Sequence, residues 1–205
     1  CGQVSNPRIL DLCTGSGCIA WTLSMEIQGS SVTAVDISEA ALSIASGQQF
    51  SEIGATSPMF VQADVLGNLD FEDGRFDIIV SNPPYFCNSL KNPDGRKSTA
   101  RHTDELPFED LLKCSAKLLK SSGKLAVVLP VAEGNLFVEL AENIGLNCSK
   151  RVDVCPKPDS APKRLLLEFS KSRTETKTDT LVIETETRHC YSPEFKNLTK
   201  DFYLK

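Results

Sequence analysis

Arg8-Ile-Leu-Asp11-Leu-Cys-Thr-Gly15-Ser-Gly17-Cys-Ile-Ala20 couples a short β-branched and apolar run to a glycine turn and then to a helix-like stretch. In a Gly-x-Gly-x-x-Ala turn of this kind, glycine lets the backbone approach a ligand and the helix that follows presents free N–H groups. The turn alone is weak evidence for a binding site, since it can simply pack helix on strand. The residues downstream strengthen it. Asp36 follows the apolar run Ser31-Val-Thr-Ala-Val35, 19 residues beyond Gly17, where a carboxylate can accept both ribose hydroxyls of a nucleoside. Asp64 stands just after a third run, Pro58-Met-Phe-Val-Gln62. Ligands of open α/β sheets sit beyond the carboxyl ends of the strands, so Asp11, Asp36 and Asp64 converge on one crevice.

The same alternation continues along the chain. Phe76–Val80 and Lys124–Leu129 read as buried parallel strands, and Cys18–Met25, Ser38–Phe50 and Phe108–Leu119 read as helices, with Ser38 and Glu39 as an N-terminal signal. This pattern predicts a doubly wound sheet. Gly134–Ile144 reads as a further helix, and Asn147–Val154 and Arg164–Phe169 as strands. Only the proline-broken stretch 155–163 joins those two strands, which predicts an antiparallel hairpin at the sheet edge. Residues 170–180 are polar, lack apolar periodicity and are expected to form a mobile loop; Leu181–Glu184 reads as one more strand and Pro193–Phe202 as a short helix.

With 205 residues, 40% hydrophobic and 24% charged, the chain suits a single globular domain and does not suit a disordered, collagenous or coiled-coil protein. Its apolar runs stop well short of the roughly 18 residues a membrane-spanning helix needs, and no membrane association is expected. The chain starts at Cys1 without a Met or a basic, apolar leader, and is expected to lack its native N-terminal segment. Eight cysteines at 1, 13, 18, 87, 114, 148, 155 and 190 form no Cys-x-x-Cys pair, which favours reduced core thiols over a disulfide framework. Neither His102 nor His189 has a second His at ligand spacing, so no metal is expected.

The net charge of −5 hides an asymmetry. Residues 1–149 hold ten Lys and Arg against eighteen Asp and Glu, whereas residues 150–205 hold twelve against nine. Inside the acidic part, residues 86–103 carry Lys91, Arg96, Lys97 and Arg101 against Asp94 alone. Positive charge gathered beside a site can serve nucleic acid even in an acidic protein, or it can be an ordinary solvated face.

The acidity of the crevice helps to choose the cofactor. A dinucleotide pyrophosphate would be repelled by Asp11, and no Lys or Arg lies between Arg8 and Asp36 to receive it. A sulfonium, an ammonium and two ribose hydroxyls, the polar load of S-adenosylmethionine, suit three carboxylates. Ser81-Asn82-Pro83-Pro84-Tyr85 then follows the fourth strand at the same sheet edge. Two prolines stiffen that turn, so the Asn82 side chain and the Pro83 carbonyl can both accept hydrogen bonds from one amino group. Fixing its two hydrogens favours a pyramidal nitrogen whose lone pair points at the methyl donor, and alignment of the two reactants supplies much of the rate. Tyr85 is a stacking plate for a planar target, and Phe86 extends it.

Asp11–Ala20, Asp36 and Asn82-Pro83-Pro84-Tyr85 together resemble the class I S-adenosylmethionine-dependent methyltransferases that act on exocyclic or amide nitrogens. Asn82–Phe86 running into Asn88-Ser-Leu-Lys91 and Thr99-Ala-Arg-His-Thr-Asp104 is similar to the bacterial tRNA(Val) adenine-N6 methyltransferases. So are Pro156-Lys-Pro, Pro162-Lys-Arg-Leu-Leu-Leu-Glu-Phe169 and Leu198-Thr-Lys-Asp-Phe-Tyr-Leu204. The resemblance implies a Rossmann-like α/β fold with a seven-stranded, mostly parallel sheet, an antiparallel edge hairpin and helices on both faces, all within one domain spanning residues 1–205. It implies that Asp11, Thr14, Gly15, Gly17, Asp36, Ile37, Asp64, Val65 and Asn82 bind S-adenosylmethionine and that Asn82, Pro83 and Tyr85 act in catalysis. It further implies that Pro84, Tyr85, Phe86, Arg96, Lys97, Arg101 and His102 meet a tRNA substrate, with the protein a cytoplasmic monomer. The loop Asp11–Cys18 is also much like that of protein glutamine-N5 methyltransferases, which leaves a peptide substrate open, as is a binding module without turnover. Lys157, Lys163 and Arg164 stand between a wider positive rim and plain surface decoration.

Overall fold

β1 (Arg8–Leu12) is buried at every position after Arg8, because its side chains serve two separate cores. Leu10 and Leu12 join a large cluster with Val35, Ile79, Leu111, Leu125 and Phe137. Ile9 points to the opposite face and packs with Ala20, Val32 and Ala34. Alternate side chains of a strand leave on opposite faces, so a strand covered on both sides reads as an unbroken apolar run. In the computed structural model, which describes residues 5–48, 56–67, 69–84, 106–187 and 189–200, this strand lies inside an eight-stranded mixed sheet of order β3-β2-β1-β4-β5-β7-β6-β8.

The elements follow the alternation expected: α1 (Cys18–Glu26), β2 (Ser31–Asp36), α2 (Glu39–Ser46), β3 (Met59–Gln62), β4 (Phe76–Ser81), α3 (Phe108–Leu118), β5 (Leu119–Pro130), α4 (Val131–Asn143), β6 (Asn147–Cys155), β7 (Arg164–Ser170), β8 (Lys177–Val182) and α5 (Pro193–Thr199). β3, β2, β1, β4 and β5 are mutually parallel, and β7 is antiparallel to both β5 and β6. α3 and α4 close the larger core, where Phe108, Phe137 and Phe169 stack in sequence at centroid distances of 5.2 and 5.5 Å. α1 covers the other face around Ala20.

Several boundaries differ from the sequence reading, and the differences have local causes. α2 ends at Ser46 because Gly47 caps it, with its N–H on Ser43 O; residues 49–50 of the longer helix expected there lie outside the described residues. β5 starts five residues early and carries a bulge opposite Phe76 and Ile78. The sheet has an eighth strand beyond the seven expected, and Lys177–Thr180, read from sequence as part of a mobile loop, belongs to it. β8 pairs in parallel with β6 from Lys150↔Lys177 to Cys155↔Val182. Four of its six residues are exposed, so it shows no apolar alternation to betray it; backbone pairing holds it instead. The hairpin of β6 and β7 is therefore one strand in from the edge. The described cysteines, Cys13, Cys18, Cys114, Cys148, Cys155 and Cys190, are free thiols. No helix among the described residues is long and apolar enough to cross a membrane.

Candidate active site

The glycine turn is held by the ends of β1 and β2. Thr14 N–H donates to Val35 O at 3.0 Å and Gly17 N–H to Thr14 O at 3.0 Å, closing the turn against the neighbouring strand. Asp36 secures it from the other side, its Oδ2 accepting from Gly15 N–H at 2.8 Å and its Oδ1 from Ser38 N–H at 2.9 Å. Ser38 in turn caps α2 by accepting from Ala41 N–H. Gly17 has φ +80, and a Cβ there would lie 2.8 Å from the Ala45 side chain, so no other residue lets α1 and α2 approach this closely. Trp21 Nε1 donates to Ala45 O at 2.9 Å and locks that packing.

Asp11 lies beneath the turn and is fully buried. Its Oδ2 accepts from Thr14 Oγ1 at 2.5 Å, while Oδ1 has no partner among the described residues. Burial pushes the Asp11 carboxyl from 3.8 up to about 7; the Thr14 hydroxyl and the Ala20 backbone pull it down, and the Asp36 charge adds to the rise. Two neighbouring thiols stay protonated. Burial, then Asp36, pushes Cys13 up to about 12, and burial pushes Cys114 to about 11. A thiol held this way is a poor nucleophile.

Beyond the strand ends opens a cavity of about 490 Å³. Asp36 and Ile37 line one wall, Ala63, Asp64, Val65 and Leu66 another, and Asn82 and Pro84 a third, with Cys13 and Leu106 completing the surface. Ile37 is 64% exposed and Leu66 51%, so the cavity presents two apolar side chains that the described residues leave largely uncovered. Asp64 Oδ1 accepts from Leu66 N–H at 2.9 Å, which fixes the turn that carries both. Asn82 is solvent-accessible and Pro83 buried. Ser81, immediately before, donates from its hydroxyl to Leu12 O at 2.7 Å and so ties the Asn-Pro-Pro turn to the end of β1.

The structure thus brings Asp36, Ile37, Asp64, Val65, Asn82 and Pro84 to one cavity. Asp11 and Thr14 are set under the turn and off the cavity surface, and Gly15 and Gly17 shape the turn without lining the cavity. Tyr85, Phe86, Arg96, Lys97, Arg101 and His102 lie outside the described residues. Sequence reasoning missed Cys13, Ala63, Leu66 and Leu106. Cys13 sits inside the glycine loop itself, with a left-handed φ of 61 that marks it as a turn residue; Leu66 and Leu106 carry no such signal.

The cavity fits the polar load of S-adenosylmethionine. It has a carboxylate on each of two walls, two uncovered apolar side chains to hold a planar base, and below the turn a buried carboxylate oxygen left without a partner. Among the described residues no Lys or Arg lines it. Among the described residues no group of three His, Cys, Asp or Glu side chains could hold a metal ion.

Comparisons with known proteins agree with this chemistry. Residues 3–136 match the methyltransferase small domain family. A protein of Trichodesmium erythraeum named tRNA1(Val) (adenine(37)-N6)-methyltransferase is 41% identical over 203 residues, covering 97% of this chain and 83% of its own. A Parabacteroides distasonis protein of the same name is 42% identical over 205 residues, with the same coverage. Among solved structures, a predicted O-methyltransferase of Agrobacterium tumefaciens superposes with a TM-score of 0.74 at 18% identity, covering 95% of this chain and 88% of its own. A TehB-like S-adenosylmethionine-dependent methyltransferase of Corynebacterium glutamicum gives 0.56 at 21% identity and 83% of each chain. At those identities the two structures speak for the fold alone.

Proposed function

The chain belongs to the methyltransferase small domain family, and from that premise we propose that residues 1–205 form one cytoplasmic methyltransferase domain acting on an adenine N6 in the anticodon loop of tRNA(Val). The observation that carries the reading is the Asn82-Pro83-Pro84 turn at the wall of an acid-lined cavity, in a chain about 40% identical to the tRNA1(Val) enzymes. S-adenosylmethionine supplies the electrophilic methyl when bound. Asp36 and Asp64 would hold its polar parts and Ile37, Val65 and Leu66 its planar base, with the buried Asp11 carboxylate below the turn complementary to its positive charge.

Asn82 and the Pro83 carbonyl accept the two hydrogens of the target amino group and aim its lone pair. Tyr85 stacks on the base, as the resemblance implies. Ser81, bonded to Leu12 O, keeps Asn82 at a fixed place relative to the glycine turn, which is where alignment is decided. Cys13, on the same cavity surface, is a competing nucleophile only as a thiolate, and its burial beside Asp36 keeps it a thiol. The proton released from nitrogen leaves to water.

The test incubates the protein with labelled S-adenosylmethionine and, separately, total tRNA and a protein extract, followed by nucleoside analysis. Label in N6-methyladenosine is the expected result. Label in protein alone would replace this reading with the glutamine one, and label in neither would leave a binding module.

A further inference from the structure

β6 and β5 both pair antiparallel with β7 and so run in the same direction. The eight residues 156–163, which join β6 to β7, therefore stand at the sheet edge that carries the Asn82 turn. Register places them closely. Ser81 is level with Val127 and Val127 with Leu167, so Arg164, opposite Pro130, lies three residues further toward the edge. That is about 10 Å beyond Ser81, and β7 is two strands across from β4, again about 10 Å.

This connection is unusually well fixed for an exposed loop. Pro156, Pro158 and Pro162 restrict its backbone. Lys157 N–H donates to Ser160 Oγ at 3.1 Å, and the Ser160 hydroxyl donates to Lys157 O at 2.7 Å. Lys163 N–H closes the loop on Val154 O at 2.9 Å, and Glu184 N–H clips it from the far strand through Pro156 O at 2.9 Å.

Its cations are left unspent. Lys120, Lys124 and Arg151 are each paired with a carboxylate, Asp77, Glu168 and Asp153. Lys157 and Lys163 make no ion pair among the described residues, and the loop holds one acid, Asp159, which is exposed. A rigid loop presenting two uncompensated ammonium groups beside the cavity suits a polyanion that lies across the sheet edge, because the ordering cost is already met.

We infer that the β6–β7 loop is a phosphate-docking platform for the RNA strand, on which Lys157 and Lys163 hold backbone phosphates within a few nucleotides of the base presented to Asn82. This rests on the reading of the cavity as an RNA-methylating site. The two displacements combine to about 14 Å, and stacked nucleotides advance about 3.4 Å along a strand, so about four of them bridge the distance from the turn to the loop. The contacts position the strand without reading its sequence.

The experiment measures binding of an unmodified tRNA(Val) transcript from 50 to 300 mM salt by fluorescence anisotropy, alongside melting temperature and S-adenosylmethionine affinity. K157A/K163A is expected to weaken tRNA binding about tenfold or more and to flatten the salt slope by about 1.4, with folding and cofactor affinity unchanged. Asp159→Asn, which keeps a residue tolerant of the left-handed φ of 57 there, is expected to tighten binding a few-fold. Lys177→Ala, at the opposite sheet edge, serves as a control that removes a single distant cation and should leave the slope within about 0.3 of the parent. A K157A/K163A slope equal to that of the parent protein, or to that of Lys177→Ala, overturns the platform while leaving the methyltransferase reading intact. Failure of the parent protein to bind or methylate the transcript overturns the underlying reading and the platform with it.

Discussion

Replacing Asp11 by Asn separates what this buried carboxylate does to stability from what it does for binding. The side chain is fully buried, and Oδ1 meets no donor among the described residues. Raising its carboxyl from 3.8 to about 7 corresponds to on the order of 4 kcal/mol against the ionised folded state. The unfolded chain ionises near its ordinary value while the folded chain keeps its proton up to about 7. Between those values the folded state therefore binds more protons, and stability falls as pH rises. Roughly 3 kcal/mol of the loss lies between pH 5 and pH 8, and above that the curve is level.

Asn is nearly isosteric, and its amide oxygen can still accept from the Thr14 hydroxyl, so the turn is preserved; its amide nitrogen takes the place of the unpartnered oxygen. The stability advantage of the parent over Asp11→Asn, measured by urea unfolding without cofactor at pH 5, 6, 7 and 8, should shrink by about 3 kcal/mol across the series. A fixed offset from burying an amide shifts the variant's curve without tilting the difference. The same substitution should lower S-adenosylmethionine affinity, measured by calorimetry, and abolish its rise between pH 6 and 8. Stability differences that stay parallel across pH would refute the assignment of a near-neutral titration to Asp11.

Other perturbations probe the turn, the sheet and the target contact. Gly17→Ala should cost on the order of 2 kcal/mol in melts, since its methyl would meet Ala45 at 2.8 Å in a left-handed backbone; Gly15→Ala, with nothing within 4 Å, should cost about half of that. Burial raises the Asp77 carboxyl, but the Lys120 ammonium at 2.7 Å and the Arg8 N–H at 3.0 Å outweigh it and hold it below its ordinary value. Its stabilisation is thus present above the ordinary carboxylate range and lost as pH falls through the lowered value. Lys120, 39% exposed, is partly screened, so Lys120→Ala should cost about 1 kcal/mol at pH 7 and progressively less as acid protonates Asp77 in urea titrations. Asn82→Ala should cut methyl transfer by about 10²–10³ at unchanged S-adenosylmethionine affinity, and transfer near the parent rate would remove Asn82 from the chemistry.

How much of this was legible in sequence follows from where each structural demand comes from. β1 and β2 are covered on both faces, so their burial wrote itself into continuous apolar runs, and the glycine turn and Asp36 stood at the ends of those runs. β8 was not legible as a full strand because it is held by backbone pairing to β6 with only Leu181 buried, a demand that places almost no constraint on side chains. The site divides in the same way. Asp36, Asp64 and Asn82 are polar residues at strand ends, where a carboxylate or amide has no packing reason to be, and they announced themselves. Leu66 and Leu106 line the cavity as ordinary leucines, and only the fold shows that Leu66 is left half exposed there.

Asp11 was legible as an acid at the end of β1 suited to a positively charged cofactor, directly or through water; only the structure shows that it lies under Thr14, off the cavity wall. An acid spent on the surface of a site need only be complementary to its ligand. One buried beneath it, with an oxygen left unpaired, destabilises the empty fold and is relieved by a positive charge above. On that argument the carboxylate that weakens the protein at neutral pH is the one a positive charge above the turn would relieve, and the two effects are expected to scale together because they arise from one desolvated charge.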